Sequence, residues 1–142
     1  PPQLQADTIT VGRFRLSQML LLNNASVPWI ILVPQKAEMS EWHHLSQADQ
    51  QQLHKESMLV CELLMQEFKG DKMNTASLGN AVPQLHVHHI VRFRNDPVWP
   101  LPVWGNLEAN PYSDGSLKSQ IVRLQQLFSS QTRLTYTESN WP

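Results

Sequence analysis

The sequence holds a single cysteine, Cys61, in 142 residues. No internal disulfide can form, and a reducing, cytoplasmic setting is the expectation. It lacks any apolar run near the roughly 20 residues that span a bilayer. The longest, Val27 to Val33, contains Pro28 and fits a buried strand better. The first residues show no basic segment leading into an apolar stretch, so no signal peptide is expected. Charge is sparse, at 16% Asp, Glu, Lys and Arg with a formal net charge of −1. That balance offers no basic field to nucleic acid. Internal repeats and low-complexity tracts are absent too. What is present, 41% hydrophobic residues over this length, suits one domain around one core.

Leu4 to Arg15 alternates loosely and predicts a short strand near Ile9 to Val11. Met19 to Leu22 is an apolar run that stops at the turn signal Asn23-Asn24. Pro28 to Val33, rich in β-branched residues and closed by Pro34, predicts a second strand, and the two runs read as an antiparallel hairpin. Ser46-Gln47-Ala48-Asp49 resembles a capping box, and Leu53, Ser57, Val60, Leu64 and Phe68 then recur on one helical face until Gly70. Met73 to Leu78 and Leu85 to Phe93 are strand-like. Asn95 to Pro111, with four prolines and two tryptophans, reads as an ordered irregular loop. Ser116 to about residue 129 is a C-terminal helix, with Leu117, Ile121, Leu124 and Phe128 on one face. The tail after Thr132 gives no strong signal. Strand pairs separated by one long helix predict an α+β domain, an antiparallel sheet of about five strands with its helices on one face.

His86-Val87-His88-His89 is the densest chemical signal. Side chains alternate along a strand, so Gln84, His86, His88, Ile90, Arg92 and Arg94 are expected on one face. Leu85, Val87, His89 and Val91 are expected on the other. A neutral imidazole can attack phosphorus, a second can serve the leaving group, and arginines can hold phosphate oxygens. The same His-x-His spacing also suits a transition metal, or plain structural histidines.

The segment Leu78-Gly79-Asn80-Ala81-Val82-Pro83-Gln84-Leu85-His86-Val87-His88-His89-Ile90-Val91-Arg92 resembles the signature of the histidine triad (HIT) superfamily. Aligning the triad with Gln84, His86 and His88 keeps Gly79 and Arg92 at their offsets and sets Gln84 in place of the first histidine. Trp29 to Pro34 is similar to the family's strand ending in Val-Pro. The helix Ser46 to Phe68 stands where the family has its long helix. Asp96 to Gly105 resembles the tail of a bacterial branch, similar to diadenosine polyphosphate hydrolases. The resemblance runs from about Val11 to Gly105.

The resemblance implies a HIT-like fold, a homodimer, and a nucleotide substrate such as a purine nucleoside phosphate, a dinucleoside polyphosphate or a phosphoramidate. It implies a nucleotidyl-histidine intermediate on His86, with His88 and Gln84 as its catalytic partners. Substrate contacts fall by position on Asn23, Asn24, Asn74, Gly79, Asn80 and Arg92. The histidine mechanism requires no metal and no cofactor. Ala81 and Ala37 stand where many members carry polar groups. With Gln84 they favour altered substrate choice, or a rival reading as a non-catalytic nucleotide-binding module. A metal site at His86 and His88 is the second rival.

Overall fold

The computed structural model describes residues 2–140. The chain forms helix α1 (Pro2–Asp7), strands β1 (Thr8–Phe14), β2 (Ser17–Leu22) and β3 (Trp29–Pro34), and helix α2 (Gln47–Phe68). Strands β4 (Lys72–Ala76) and β5 (Val87–Arg92), helix α3 (Asp114–Ser129) and strand β6 (Tyr136–Glu138) follow. The six strands make one antiparallel sheet in the order β4-β5-β3-β2-β1-β6. The α+β expectation holds, with six strands where about five were expected. Among the described residues no helix is long and apolar enough to cross a membrane.

Alternation divides the sheet into two apolar faces. Leu21, Ile30, Leu32 and Val91 pack under α2 and α3 against Leu59, Val60, Leu64, Ile121, Leu124 and Phe128. Their sequence neighbours Leu20, Ile31 and Ile90 face the other way, with Trp29 and Val33, beneath Leu4 of α1 and Val103 of the loop after β5. Both faces are therefore covered, and all six residues of β3 are buried. That is why β3 reads as an unbroken apolar run and not as an alternation. The two long helices do share one face, as expected. The cover on the other face is α1 and irregular chain.

Two elements left no clear trace in the sequence. α1 is one and a half turns with a single buried residue, Leu4. β6 is three residues long and takes its pairing from β1. The approach there is close enough that a Cβ on Gly12 would run into the Tyr136 ring and the Thr137 carbonyl. Ser46 caps α2 by accepting the Asp49 N–H at 3.2 Å, as the capping pattern predicts. The left-handed residue that ends α2 is Lys69, at φ 53°, and not Gly70. Gly70 serves packing instead, because a Cβ there would strike Val91 and Met65.

Glu56 ties the sheet to α2. Its carboxylate is fully buried and accepts the backbone N–H groups of Leu16 at 2.9 Å and Ser17 at 3.0 Å, and the Gln52 amide at 2.8 Å. It thereby satisfies two donors of the β1–β2 turn that no strand partner reaches. Glu56→Ala orphans both donors and is expected to cost about 2–6 kcal/mol, at about 1–3 kcal/mol per buried unpaired group. Urea unfolding of the variant against the parent measures this, and a loss under 1 kcal/mol would contradict the role given to Glu56.

Candidate functional site

β5 is an inner strand, paired to β3 on one side and β4 on the other, with Ile31 and Ala76 opposite His88. His88 consequently points to the face covered by α1 and the long loop, and His89 to the helices. The expected alternation of the two residues is seen. His86 sits one residue before the strand begins, and its ring lies 5.0 Å from that of His88, centroid to centroid.

Each ring is fixed by a hydrogen bond at Nδ1, and the two bonds have opposite sense. A backbone carbonyl only accepts, so His86 donates its Nδ1–H to the Gln84 carbonyl, 2.7 Å away. An indole N–H only donates, so His88 Nδ1 accepts from Trp29 Nε1 at 2.9 Å. In their neutral forms His86 therefore carries a lone pair on Nε2, and His88 carries a proton on Nε2. One ring presents a lone pair and the other a hydrogen-bond donor. Burial pushes the His88 pKa down to about 4, helped by the neighbouring His86 and His89. His89 is also pushed down to about 4 by burial, against the opposing effect of its backbone hydrogen bonds. It bridges Ser57 Oγ, 2.7 Å from Nε2, and the Ile30 carbonyl, 3.2 Å from Nδ1.

The paired imidazoles open on a cavity of about 380 Å3, whose wall includes Ile31, Asn80, Ala81, Val82 and Trp104. Trp104 stands edge-on to both His88 and Trp29, at 5.2 and 5.9 Å between centroids. A second cavity of about 510 Å3 lies beyond, lined by Asn23, Asn24 and Leu107. The two share Asp7, Leu22, Trp29 and Trp104. Trp104 thus packs on the sheet and also walls both cavities.

Other expected site residues are placed differently. Gln84 enters through its carbonyl. Its amide leans toward the Pro34 carbonyl at 3.5 Å and lines a separate cavity with Lys36 and Ala37, so it does not stand beside the imidazoles. Arg92 was expected at a phosphate and is instead buried. Its guanidinium grips Asp96 through Nε at 2.8 Å and Nη2 at 3.1 Å, and gives Nη1 to Asn74 Oδ1 at 3.0 Å. Arg92 thus gives three of its five N–H groups to these two partners, and Asn74 Oδ1 accepts one of them. Burial raises the Asp96 pKa, but bonds from Arg92, Phe93 and Val98 outweigh it and hold the carboxyl below its usual value. Arg94 lies past the strand end, exposed, with Asp71. Asn24 spends both ends of its amide on the loop, donating to the Glu108 carbonyl and accepting from Ser26 N–H. Asn23 accepts from Tyr112 N–H at 2.9 Å. Both asparagines therefore bond to the loop, and both also line the second cavity. Gly79 is exposed in the loop before β5, where an added Cβ would meet only ordinary contacts. Asn80 does reach the histidine cavity.

Trp29 is the site residue that pattern reading misses. Its signal appears only once the β3–β5 register, with Trp29 opposite Ile90, is known. Among the described residues no group of three or more His, Cys, Asp or Glu side chains is arranged to hold a metal ion.

The HIT domain family matches residues 3–95. Several solved structures of bacterial histidine triad proteins superpose closely. One from Marinobacter aquaeolei VT8 is 46% identical with a TM-score of 0.88, covering 91% of this chain and 94% of that one. One from Sinorhizobium meliloti 1021 is 40% identical with a TM-score of 0.85, covering 89% and 93%. One from Bradyrhizobium japonicum is 38% identical with a TM-score of 0.86, covering 89% and 94%. Comparison with curated proteins produced no match.

His88 and His89 set a pH dependence. Their folded pKa values, about 4, lie below the ordinary 6.5. Between those limits the unfolded chain binds protons that the folded chain refuses, so stability falls as pH drops from 6.5 toward 4. The loss is expected to be about 3 kcal/mol per imidazole at most. Urea unfolding between pH 7 and 4.5 measures it, and a flat profile would overturn the assignment of both rings as neutral.

Proposed function

Because this chain belongs to the histidine triad family, we propose that it binds a nucleotide and cleaves a nucleotidyl phosphoanhydride or phosphoramidate bond through His86. HIT proteins are generally nucleotide-binding hydrolases or transferases, and they often form dimers; a homodimer is our reading here. The observation that carries the proposal is the opposed hydrogen bonding of the two imidazoles.

In this reading the nucleoside occupies the larger cavity beside Leu22 and Trp104, and the α-phosphate lies between His86 and His88. His86 Nε2 attacks phosphorus and the bond to the leaving group breaks, its electron pair departing with that group. His86 keeps its Nδ1 proton, and the positive charge that develops on the ring is stabilised by the Gln84 carbonyl at 2.7 Å. His88 Nε2–H donates a hydrogen bond to the phosphoryl oxygens, where charge accumulates. With a pKa near 4 it is neutral at pH 7 and acts as a donor, not as an acid. Water then attacks phosphorus, the bond to Nε2 breaks with its electron pair returning to His86, and a water proton is lost to solvent.

Gln84 fits this scheme through its carbonyl, which any residue at that position supplies. The rival reading, a nucleotide-binding module without turnover, draws on Ala81 in the histidine cavity and Ala37 in the next one, both without polar side chains.

Rapid quenching after mixing with adenylated and guanylated donors, followed by mass spectrometry, is expected to find the nucleotidyl group on His86. His86→Ala is expected to lose the adduct and at least about 10³-fold in kcat. Nucleotide binding with neither adduct nor turnover would favour the binding module. Trp29→Phe keeps the ring and removes the donor that fixes the His88 tautomer. It is expected to lower kcat about 10-fold or more, about 1.4 kcal/mol of lost transition-state stabilisation, with a smaller change in KM. An unchanged kcat would show that Trp29 only packs.

A further inference from the structure

The chain has six arginines. Arg92, Arg94, Arg123 and Arg133 each carry a carboxylate partner. Among the described residues Arg13 and Arg15 carry none, and both line one cavity of about 410 Å3 between the β1–β2 turn and the start of α2. Lys36 and Lys55 line it as well. The acid there is Asp49, 3.4 Å from Lys36. Four cations thus face one carboxylate in a chain whose net charge is −1. The turn that displays Arg15 is held from beneath, because Glu56 binds the N–H groups of Leu16 and Ser17.

This cavity is linked to the reaction centre through a neighbouring cavity and the backbone at Gln84. Gln35 and Lys36 also line the neighbouring cavity, where Gln84 stands. Gln84 in turn holds His86 through its carbonyl. Arg13 lies opposite Gln18, and Gln18 opposite Val33, on the sheet face that carries Ile31 and His88. β1 is three strand spacings from β5, about 14 Å at about 4.8 Å each. A short phosphate chain and an extended arginine side chain together bridge that distance.

We propose that the cavity of Arg13, Arg15, Lys36 and Lys55 holds the distal phosphates of a polyphosphate leaving group whose proximal end is attacked by His86. The inference rests on the nucleotidyl-transfer reading above. Separate flexible cations suit a chain of repeated charges better than one compact ion. Ala37 puts only a methyl group into the middle cavity. The chemistry agrees. The Nε2–H of a neutral His88 is too weak an acid to give up its proton, so the leaving group has to be stable as an anion, which polyphosphate is and an amide ion is not. When the P–O bond breaks, the electron pair stays on the departing chain, and its charge is already met by the four cations.

Inorganic tripolyphosphate, titrated calorimetrically into the parent and into the R13Q/R15Q/K55Q variant, tests the site. These side chains are exposed, and melting curves check that the variant is folded. The parent is expected to bind, less tightly as salt rises. The variant is expected to bind at least about tenfold more weakly. The ratio of kcat/KM for a nucleoside tetraphosphate over that for a nucleoside diphosphate is expected to fall by a similar factor. Equal affinity of parent and variant, or no binding by the parent, would overturn the proposal. If no donor is turned over but tripolyphosphate binding still depends on the three cations, the hydrolase reading falls and the anion site stands.

Discussion

Trp29 Nε1 and His88 Nδ1 meet at 2.9 Å because β3 and β5 pair with Ile31 opposite His88, and the site depends on that contact. A neutral imidazole has two tautomers, and the other one of His88 would turn a lone pair toward the cavity. The indole removes that choice. The Gln84 carbonyl makes the opposite choice for His86. Neither support is ionised, so the two rings are set apart by the geometry of their donors and acceptors. The register then sends His89 to the far side of the sheet, where Ser57 and the Ile30 carbonyl occupy both its nitrogens. Three histidines within four residues have three separate tasks.

Much of the fold was legible because its elements carry strong local periodicity. The long helix, its Ser46 cap and the strand of His88 are set by residues within a few positions of one another. α1 and β6 were not legible, since their stability comes from the neighbours they pack on: α1 inserts Leu4 under the sheet, and β6 borrows the open edge of β1. For the site, alternation alone separated His86 and His88 from His89. It failed for Gln84 and Arg94, which lie outside β5, where a period of two no longer applies. It also failed for Arg92 for another reason. The strand aims Arg92 correctly, but Asp96, four residues on, folds back and takes the guanidinium. Whether a charge faces solvent, substrate or its own loop is a tertiary matter.

The site is assembled from parts of unequal rigidity. Its floor is the covered centre of the sheet, β3 and β5, where every residue is buried. Its roof, the loop carrying Trp104, has no regular structure. That loop is secured by polar bonds: Asp96 to Arg92, Asn24 to the Glu108 carbonyl, and Asn23 to Tyr112. Arg92, Asn23 and Asn24 hold the roof, and they keep the cavities their defined shape.

The Arg92–Asp96 pair has an evolutionary consequence. Its two side chains are 2% and 1% exposed. Losing one charge strands the other in the interior, at about 3–5 kcal/mol, a large fraction of a small domain's stability. A lineage therefore has no easy single step away from this arrangement. Arg92 and Asp96 have to be inherited together or replaced together, and Asn74 and the loop start at Phe93 and Val98, which bond to the same pair, are drawn into the same fate.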